Sequence, residues 1–374
     1  MRFPEFTDEW KKIRLDSFTE RVMRKNKNNL SKLPLTISAQ YGLVDQITFF
    51  NKVVASTDMS NYYLLKKGEF AYNKSYSSDY PWGAIKRLDN YEQGALSSLY
   101  ICFAPKDNVE TDFILQYFES PKWHKGVSEI AVEGARNHGL LNISVQDFFH
   151  THHYMPKDKK EQAKIAKLLM FLDERIATQN KIIEDLKKLK SAISKKLLCN
   201  DKWTTYKIQN IAEIGRGRVI SSVEIERQKH PLYPVYSSQT SNDGVMGYLD
   251  GYMFDGEYIT WTTDGANAGT VFYRKGKFNC TNVCGTLKIQ PNFDCYFVSL
   301  VLQQATQKYV SSNLANPKLM NNTMASIKIS MPNIEAQRQL SKMFQTLDSC
   351  LSVHKRTYKM YLKEKQYLLR QMFI

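Results

Sequence analysis

Six cysteines, eleven prolines and seventeen glycines are spread thinly through 374 residues, and each scarcity removes a class of protein. Cys102, Cys199, Cys280, Cys284, Cys295 and Cys350 fall at no repeated spacing, which speaks against a disulfide framework or a ribbon-type metal site and for a reducing compartment. No run of about eighteen apolar residues is available to span a membrane. The start, Met1 to Phe6, lacks the apolar core of a signal peptide. A cytoplasmic location with no membrane partner is the expectation. Acid is the scarcer charge: 37 Asp and Glu stand against 52 Lys and Arg, a formal charge of +15. A polyanion is therefore the first partner to consider, because each neutralised phosphate releases condensed counterions.

Catalytic signatures are missing too. There is no Asn/Asp-Pro-Pro-aromatic methyltransferase motif, no phosphate loop ending in Gly-Lys-Ser/Thr and no zinc deaminase pattern. Asn316-Pro317-Lys318 lacks the second proline and the aromatic of the first, and Gly215-Arg216-Gly217-Arg218 lacks the third glycine of a dinucleotide fingerprint. His150, His152 and His153, with His138 nearby, form the one cluster that suggests metal. His150 and His152 would share a face if they lay on one strand, yet no Cys or carboxylate stands at ligand spacing. No catalytic residue, metal or cofactor is expected in this chain.

What the chain does have is a repeat. One lysine-rich heptad helix, Ile165 to Leu197, carries a seam of Ile165, Leu169, Leu172, Ile176, Ile183, Leu186, Ile193 and Leu197, interrupted by Gln179 and Lys190. A second, Leu340 to Met372, repeats it 175 residues later as Leu340, Phe344, Leu347, Leu351, Tyr358, Tyr361, Leu368 and Met372, interrupted by His354 and Lys365. Leu172-Asp173 returns as Leu347-Asp348. Such matching seams predict pairing within one chain. Lys190 and Lys365 read as register or orientation markers, and leucine at both should stabilise the pair.

The repeat extends upstream. Trp10, Leu15 and Phe18 recur 193 residues on as Trp203, Ile208 and Ile211. Gly68-Glu69-Phe70 and Leu99-Tyr100-Ile101 return at 188 as Gly256-Glu257-Tyr258 and Leu287-Lys288-Ile289. Amphipathic helices around Phe113 to Phe118 and Phe297 to Leu302 match near 184, and Met155-Pro156 matches Met331-Pro332 at 176. Runs such as Ser97 to Phe103 and Gly285 to Ile289, set between Gly, Asn and Asp turns, predict strands. The fold class is α+β: two repeated mixed α/β domains joined by two long antiparallel coiled-coil helices with internal pseudo-twofold symmetry. Boundaries are drawn at 1–155 and 201–332 for the domains and at 156–200 and 333–374 for the helices.

Many lysines sit on the helices, where they read equally well as a solvated exterior. The cations of the globular segments are more informative. In the first these are Lys66, Lys67, Lys74, Arg87 and Arg136, the last followed by Asn137 and His138. In the second they are Arg216, Arg218, Arg274, Lys275, Lys277 and Lys318, accompanied by Asn316 and by Ser238, Gln239 and Thr240 in a turn-rich stretch. Hydroxyls and amides can bond base edges when nearby cations fix the register on phosphate. The plain alternative is ordinary loop.

The opening from Arg2-Phe3-Pro4-Glu5-Phe6 to Arg14-Leu15 resembles the start of the specificity (S) subunits of type I restriction-modification systems. The approach to each helix is similar to that family too: Gly134-Ala135-Arg136-Asn137, Met155-Pro156 and Glu161-Gln162 in the first copy, Ala315-Asn316-Pro317-Lys318, Met331-Pro332 and Ala336-Gln337 in the second. Ala336 departs from the Glu-Gln helix opening. The resemblance implies two target recognition domains, each reading half of a split duplex DNA site, on a helical spacer. It also implies two methyltransferase (M) subunits as partners and restriction (R) subunits through them, with S-adenosylmethionine and ATP bound in those partners. Helices of about 33 residues reach roughly 50 Å, longer than one ~34 Å turn of duplex. A second reading is a non-catalytic coiled-coil adaptor that binds protein.

Overall fold

The computed structural model describes residues 1–131, 139–198, 202–311 and 316–374. Arg136, Asn137, His138 and Cys199 lie outside the described residues. Contacts divide the chain into two compact units, Met1–Asn180 with Arg356–Ile374, and Lys181–Lys355. Each unit holds one globular domain and half of each long helix, a division that cuts across the boundaries drawn from sequence.

In the first unit the strands are β1 (Lys11–Arg14), β2 (Thr19–Arg21), β3 (Pro34–Ser38), β4 (Gly42–Asp45) and β5 (Tyr63–Lys66). They are followed by β6 (Phe70–Asn73), β7 (Ala84–Arg87), β8 (Gln93–Leu96), β9 (Ile101–Pro105) and β10 (His152–Met155). β1 pairs with β10, β2-β9-β6-β7 form an antiparallel sheet, and β4-β3-β8-β5 form a second sheet with β3 and β8 parallel. In the second unit the strands are β11 (Thr204–Lys207), β12 (Ala212–Arg216), β13 (Tyr233–Tyr236), β14 (Val245–Leu249) and β15 (Glu257–Thr262). The remainder are β16 (Val271–Lys275), β17 (Asn279–Cys280), β18 (Cys284–Ile289) and β19 (Lys328–Met331). The plan is the same: β11 with β19, a sheet β12-β18-β15-β16, and β14-β13-β17 with β13 and β17 parallel. Among the described residues only β5 has no counterpart.

The pairing register corrects two alignments made from sequence. Phe70 faces Phe103 across β6 and β9, and Ile259 faces Leu287 across β15 and β18; all four are fully buried against the helix of their own domain. Leu287 therefore corresponds to Phe103. Leu99 is 72% exposed, in a turn before β9. Likewise Phe70 matches Ile259, one residue beyond Tyr258. Side chains alternate along a strand, so an error of one residue exchanges the two faces.

Helices Thr111–Glu119 and Cys295–Ala305 cover these sheets and complete two aromatic-rich cores. Both long helices begin before their seams, as Lys159–Leu197 and Ile334–Gln371, the second ending one residue short of Met372. Asp158 and Asn333 cap their starts by accepting the amides of Lys160 at 2.7 Å and Ala336 at 3.0 Å. Ile165, Leu169, Leu172, Leu368 and Met372 join the first core, whereas Ile193, Leu340, Phe344 and Leu347 pack on the second. Ile176, Ile183, Leu186, Leu197, Leu351 and Tyr358 are buried or half-buried. Lys190 of the first helix meets Asp348 of the second inside one unit, and Asp173 meets Lys365 inside the other. In each, the helices run antiparallel.

Candidate nucleic-acid interface

The main sheet of each domain has one end where two strands finish and their neighbours begin. In the first domain β2 and β6 finish there, and β9 and β7 begin; in the second β12 and β15 finish, and β18 and β16 begin. Both domains build this end on the same backbone frame. The chain leaving β6 bridges Ser75 to Leu140, with Leu141 N donating to Lys74 O at 2.9 Å and Tyr76 N to Gly139 O at 3.1 Å. The chain leaving β15 bridges Asp264 to Lys318, with Leu319 N donating to Thr263 O at 2.9 Å and Gly265 N to Pro317 O at 3.0 Å. Lys74, Ser75 and Leu140 thus occupy the positions of Thr263, Asp264 and Lys318. One frame carries unrelated side chains, which is the property a recognition surface needs.

On the second domain Arg216 is the best-fixed cation of this end. Nε donates to Asn282 O at 2.5 Å, and Nη2 donates to Thr263 Oγ1 at 3.0 Å and Asp264 Oδ2 at 3.2 Å. The side chain stays 36% exposed, and Lys318 shares Asp264 at 3.6 Å. Two cations on one carboxylate leave a net positive surface. Gly217 explains the Gly-Arg-Gly-Arg spacing: a Cβ there would lie 2.1 Å from Cys280 O, so the chain turns flush against β17. Arg218 pairs with Glu224, and Asn267 Nδ2 donates to Ser238 O at 3.3 Å, which brings the loop bearing Gln239 and exposed Thr240 to the same end. Asn316 lies beside Gly265.

On the first domain this end holds Lys74, whose Nζ donates to Ile143 O at 3.3 Å, beside a cleft of about 190 Å³ lined by Arg21, Tyr63 and Tyr100. Lys25 stands 4.2 Å over the Tyr63 ring. Arg21 and Lys25 escaped sequence reading because a single cation at the end of a short strand has no pattern.

Other candidates lie elsewhere. Lys66 ends β5 and Lys67 follows it at the opposite end, where Lys67 pairs with Glu92 at 2.9 Å, and Arg87 is held at 2.7 Å by both Asp89 and Asp112. Lys275, paired with Glu257 at 3.1 Å, and Lys277, 4.4 Å over Tyr252, occupy the opposite end of the second domain. Arg274 is buried.

The histidine cluster is dispersed by the fold. His150 ends helix Val145–His150, His152 is exposed on β10, and His153 points inward between Tyr117 OH at 2.9 Å and Thr151 Oγ1 at 2.8 Å. Among the described residues no group of three His, Cys, Asp or Glu is placed to hold a metal. Burial pushes the Cys284 thiol up to about 11, leaving it protonated and unreactive. No helix among the described residues is long and apolar enough to cross a membrane.

Residues 200–360 match the family model described as the type I restriction modification DNA specificity domain. A Mycoplasma pneumoniae sequence named for the N-terminus of a type I specificity subunit is 44% identical over 144 residues, which are 38% of this chain and 76% of that one. The type I restriction enzyme MpnII specificity subunit of the same organism is 43% identical over 143 residues, again 38% of this chain, and the match spans 43% of its length. In three dimensions the chain is similar over its full length to 99% of the crystal structure of a type I S subunit from M. genitalium, with a TM-score of 0.67 at 17% identity.

Proposed function

The chain belongs to the specificity subunits of type I restriction-modification systems, a non-catalytic DNA-recognition family, and we propose that each of its two domains reads one half of a bipartite duplex site. The reading surface is the sheet end bearing Lys74, Arg21 and Lys25 in the first domain and Arg216, Lys318 and the Ser238–Thr240 loop in the second. The observation that carries this assignment is the shared backbone frame with diverged polar and cationic side chains. Residues 132–138, including Arg136, Asn137 and His138, lead directly into that frame in sequence and belong to the same proposal. The chain recruits two M subunits and, through them, R subunits; S-adenosylmethionine and ATP are bound by those partners, in the cytoplasm.

An adaptor that only binds protein accounts for the helices but gives no reason for two domains with one frame and different surface side chains. Mapping adenine methylation in a host that supplies the M partner separates the two readings. Exchange of residues 1–150 with those of a relative is expected to change one half of the methylated site and leave the other. A site that changes in both halves, or in neither, refutes the assignment.

A further inference from the structure

Arg274 lies on β16 with only 7% of its surface exposed. Its guanidinium carbon stands 3.5 Å from the Tyr236 ring centroid and 4.4 Å from that of Phe272. Nη2 donates to Asp243 O at 2.8 Å and Nε to Thr260 Oγ1 at 3.2 Å. Among the described residues no carboxylate lies within ion-pair distance of it. The buried cation is satisfied by aromatic faces, a hydroxyl and one loop carbonyl.

That carbonyl belongs to an unusual loop. Asn242, Asp243 and Gly244 stand in succession at φ of 49°, 52° and 84°, a left-handed run that L residues rarely adopt. Ser237 N donates to Gly244 O at 2.9 Å and Gln239 Nε2 to Val245 O at 2.5 Å, closing the loop on itself. Thr240, Ser241 and Asn242 remain exposed at its tip. A Cβ on Gly244 would sit 3.1 Å from Gln239 O and 3.2 Å from Arg274 Nη2, so loop and arginine are fitted to each other.

We propose that Arg274 is a positioning residue for base reading in the second half-site: it fixes the Ser237–Gly244 loop from below, so that Thr240, Ser241 and Asn242 meet base edges already ordered. This rests on the DNA-recognition reading above. A loop ordered in advance avoids the entropy cost of ordering on binding and makes contacts more selective. The first domain has no such device: Leu88 occupies the corresponding position, and only Ala39 to Tyr41 link β3 to β4. The effect must therefore be confined to one half of the site.

The test selects duplexes from a random-sequence pool with the full chain and its M partner, then measures affinity for the selected and a scrambled duplex across a salt series. Arg274→Lys keeps the charge but cannot span Asp243 O and Thr260 Oγ1 while stacking on Tyr236. It is expected to lose at least tenfold in discrimination, at positions of one half-site only, with the salt slope unchanged. Gly244→Ala displaces the loop while leaving the buried cation in place, and is expected to give the same loss should the lysine variant fail to fold. Unchanged discrimination in a folded variant overturns the proposal. So does a uniform loss on all sequences with the salt slope reduced by about one, which would make Arg274 a phosphate ligand. A wild-type complex that selects no sequence removes the DNA-recognition reading itself, and this proposal with it.

Discussion

Lys365 donates to Asp173 at 2.5 Å across the long helices of the first unit, and their repeat counterparts, Lys190 and Asp348, make the same bond at 2.5 Å in the second. Each aspartate also ties in the helix of its own domain: Gln116 Nε2 donates to Asp173 at 2.9 Å and Tyr296 OH to Asp348 at 2.5 Å. The lysines are thus paired, and leucine in their place would remove each aspartate's cation while leaving its other donor, a loss that works against the stabilisation expected from an apolar seam. Lys365 is 15% and Asp173 42% exposed, so solvent screening keeps the pair modest. A double-mutant cycle with alanine, read by urea unfolding, is expected to give about 0.5–1 kcal/mol of coupling. Zero coupling would make the pair geometrically present and energetically idle.

Gln162 and Gln337 join each long helix to its domain. Gln162 Oε1 accepts from the amide of Glu110 at 2.9 Å while Nε2 donates to Pro156 O at 2.8 Å; Gln337 does the same for Asp294 at 3.0 Å and Pro332 at 2.8 Å. Both side chains are buried. Alanine at either position leaves a helix-start amide and a carbonyl without partners. The expected cost is about 1–3 kcal/mol for each variant, by urea unfolding. A glutamate there keeps the acceptor but turns a buried carboxylate oxygen onto the proline carbonyl, and should cost at least as much as alanine.

How far these features were legible depends on the period that carries them. The long helices were readable because a seam of steps three and four, repeated over 175 residues, has few alternatives. Strand pairing was not: Leu99 and Phe103 are both apolar residues near β9, and only pairing with Phe70 distinguishes them. Glu161 was read as part of a helix opening. It does stand in the first turn of that helix, and it is also buried, paired with Arg2 at 2.6 and 2.7 Å and bonded by Trp10 Nε1 at 3.1 Å; these partners are over 150 residues away in sequence, beyond any local pattern. At the candidate interface, Arg216 and Lys318 stood out as cations, but their shared Asp264 did not, because the contact is made by three separate segments.

His153 should make the first unit sensitive to mild acid. Burial, with His152 adding to it, lowers its pKa from 6.5 to about 3, so the folded state holds it neutral while the unfolded chain takes up a proton below 6.5. The stability it contributes is present above 6.5 and is lost as pH falls towards 3. At pH 5 the loss is roughly 2 kcal/mol relative to pH 7.5. His153→Gln, which keeps polar atoms near Tyr117 and Thr151, is expected to flatten that part of the pH profile of unfolding, at some cost in packing. A variant with the wild-type profile would assign the acid sensitivity to another group.

The two ends of the second domain's sheet should respond differently to loss of charge. Arg216 is held by Asn282 O, Thr263 Oγ1 and Asp264, yet is 36% exposed. Its position is therefore set before DNA arrives, and its exposed atoms are available to it. Lys275 and Lys277 stand at the other end with their own partners, Glu257 and Tyr252. Arg216→Ala is expected to weaken binding to the selected duplex by about 1–3 kcal/mol and to relax one position of the second half-site. Asp264→Asn should do so more weakly, since it frees Arg216 without removing it. Lys275→Ala and Lys277→Ala should leave the selected site unchanged. The comparison is made by fluorescence anisotropy at fixed salt and by methylation mapping. If the lysine variants alter the half-site and Arg216→Ala does not, the reading surface lies at the opposite end of the sheet.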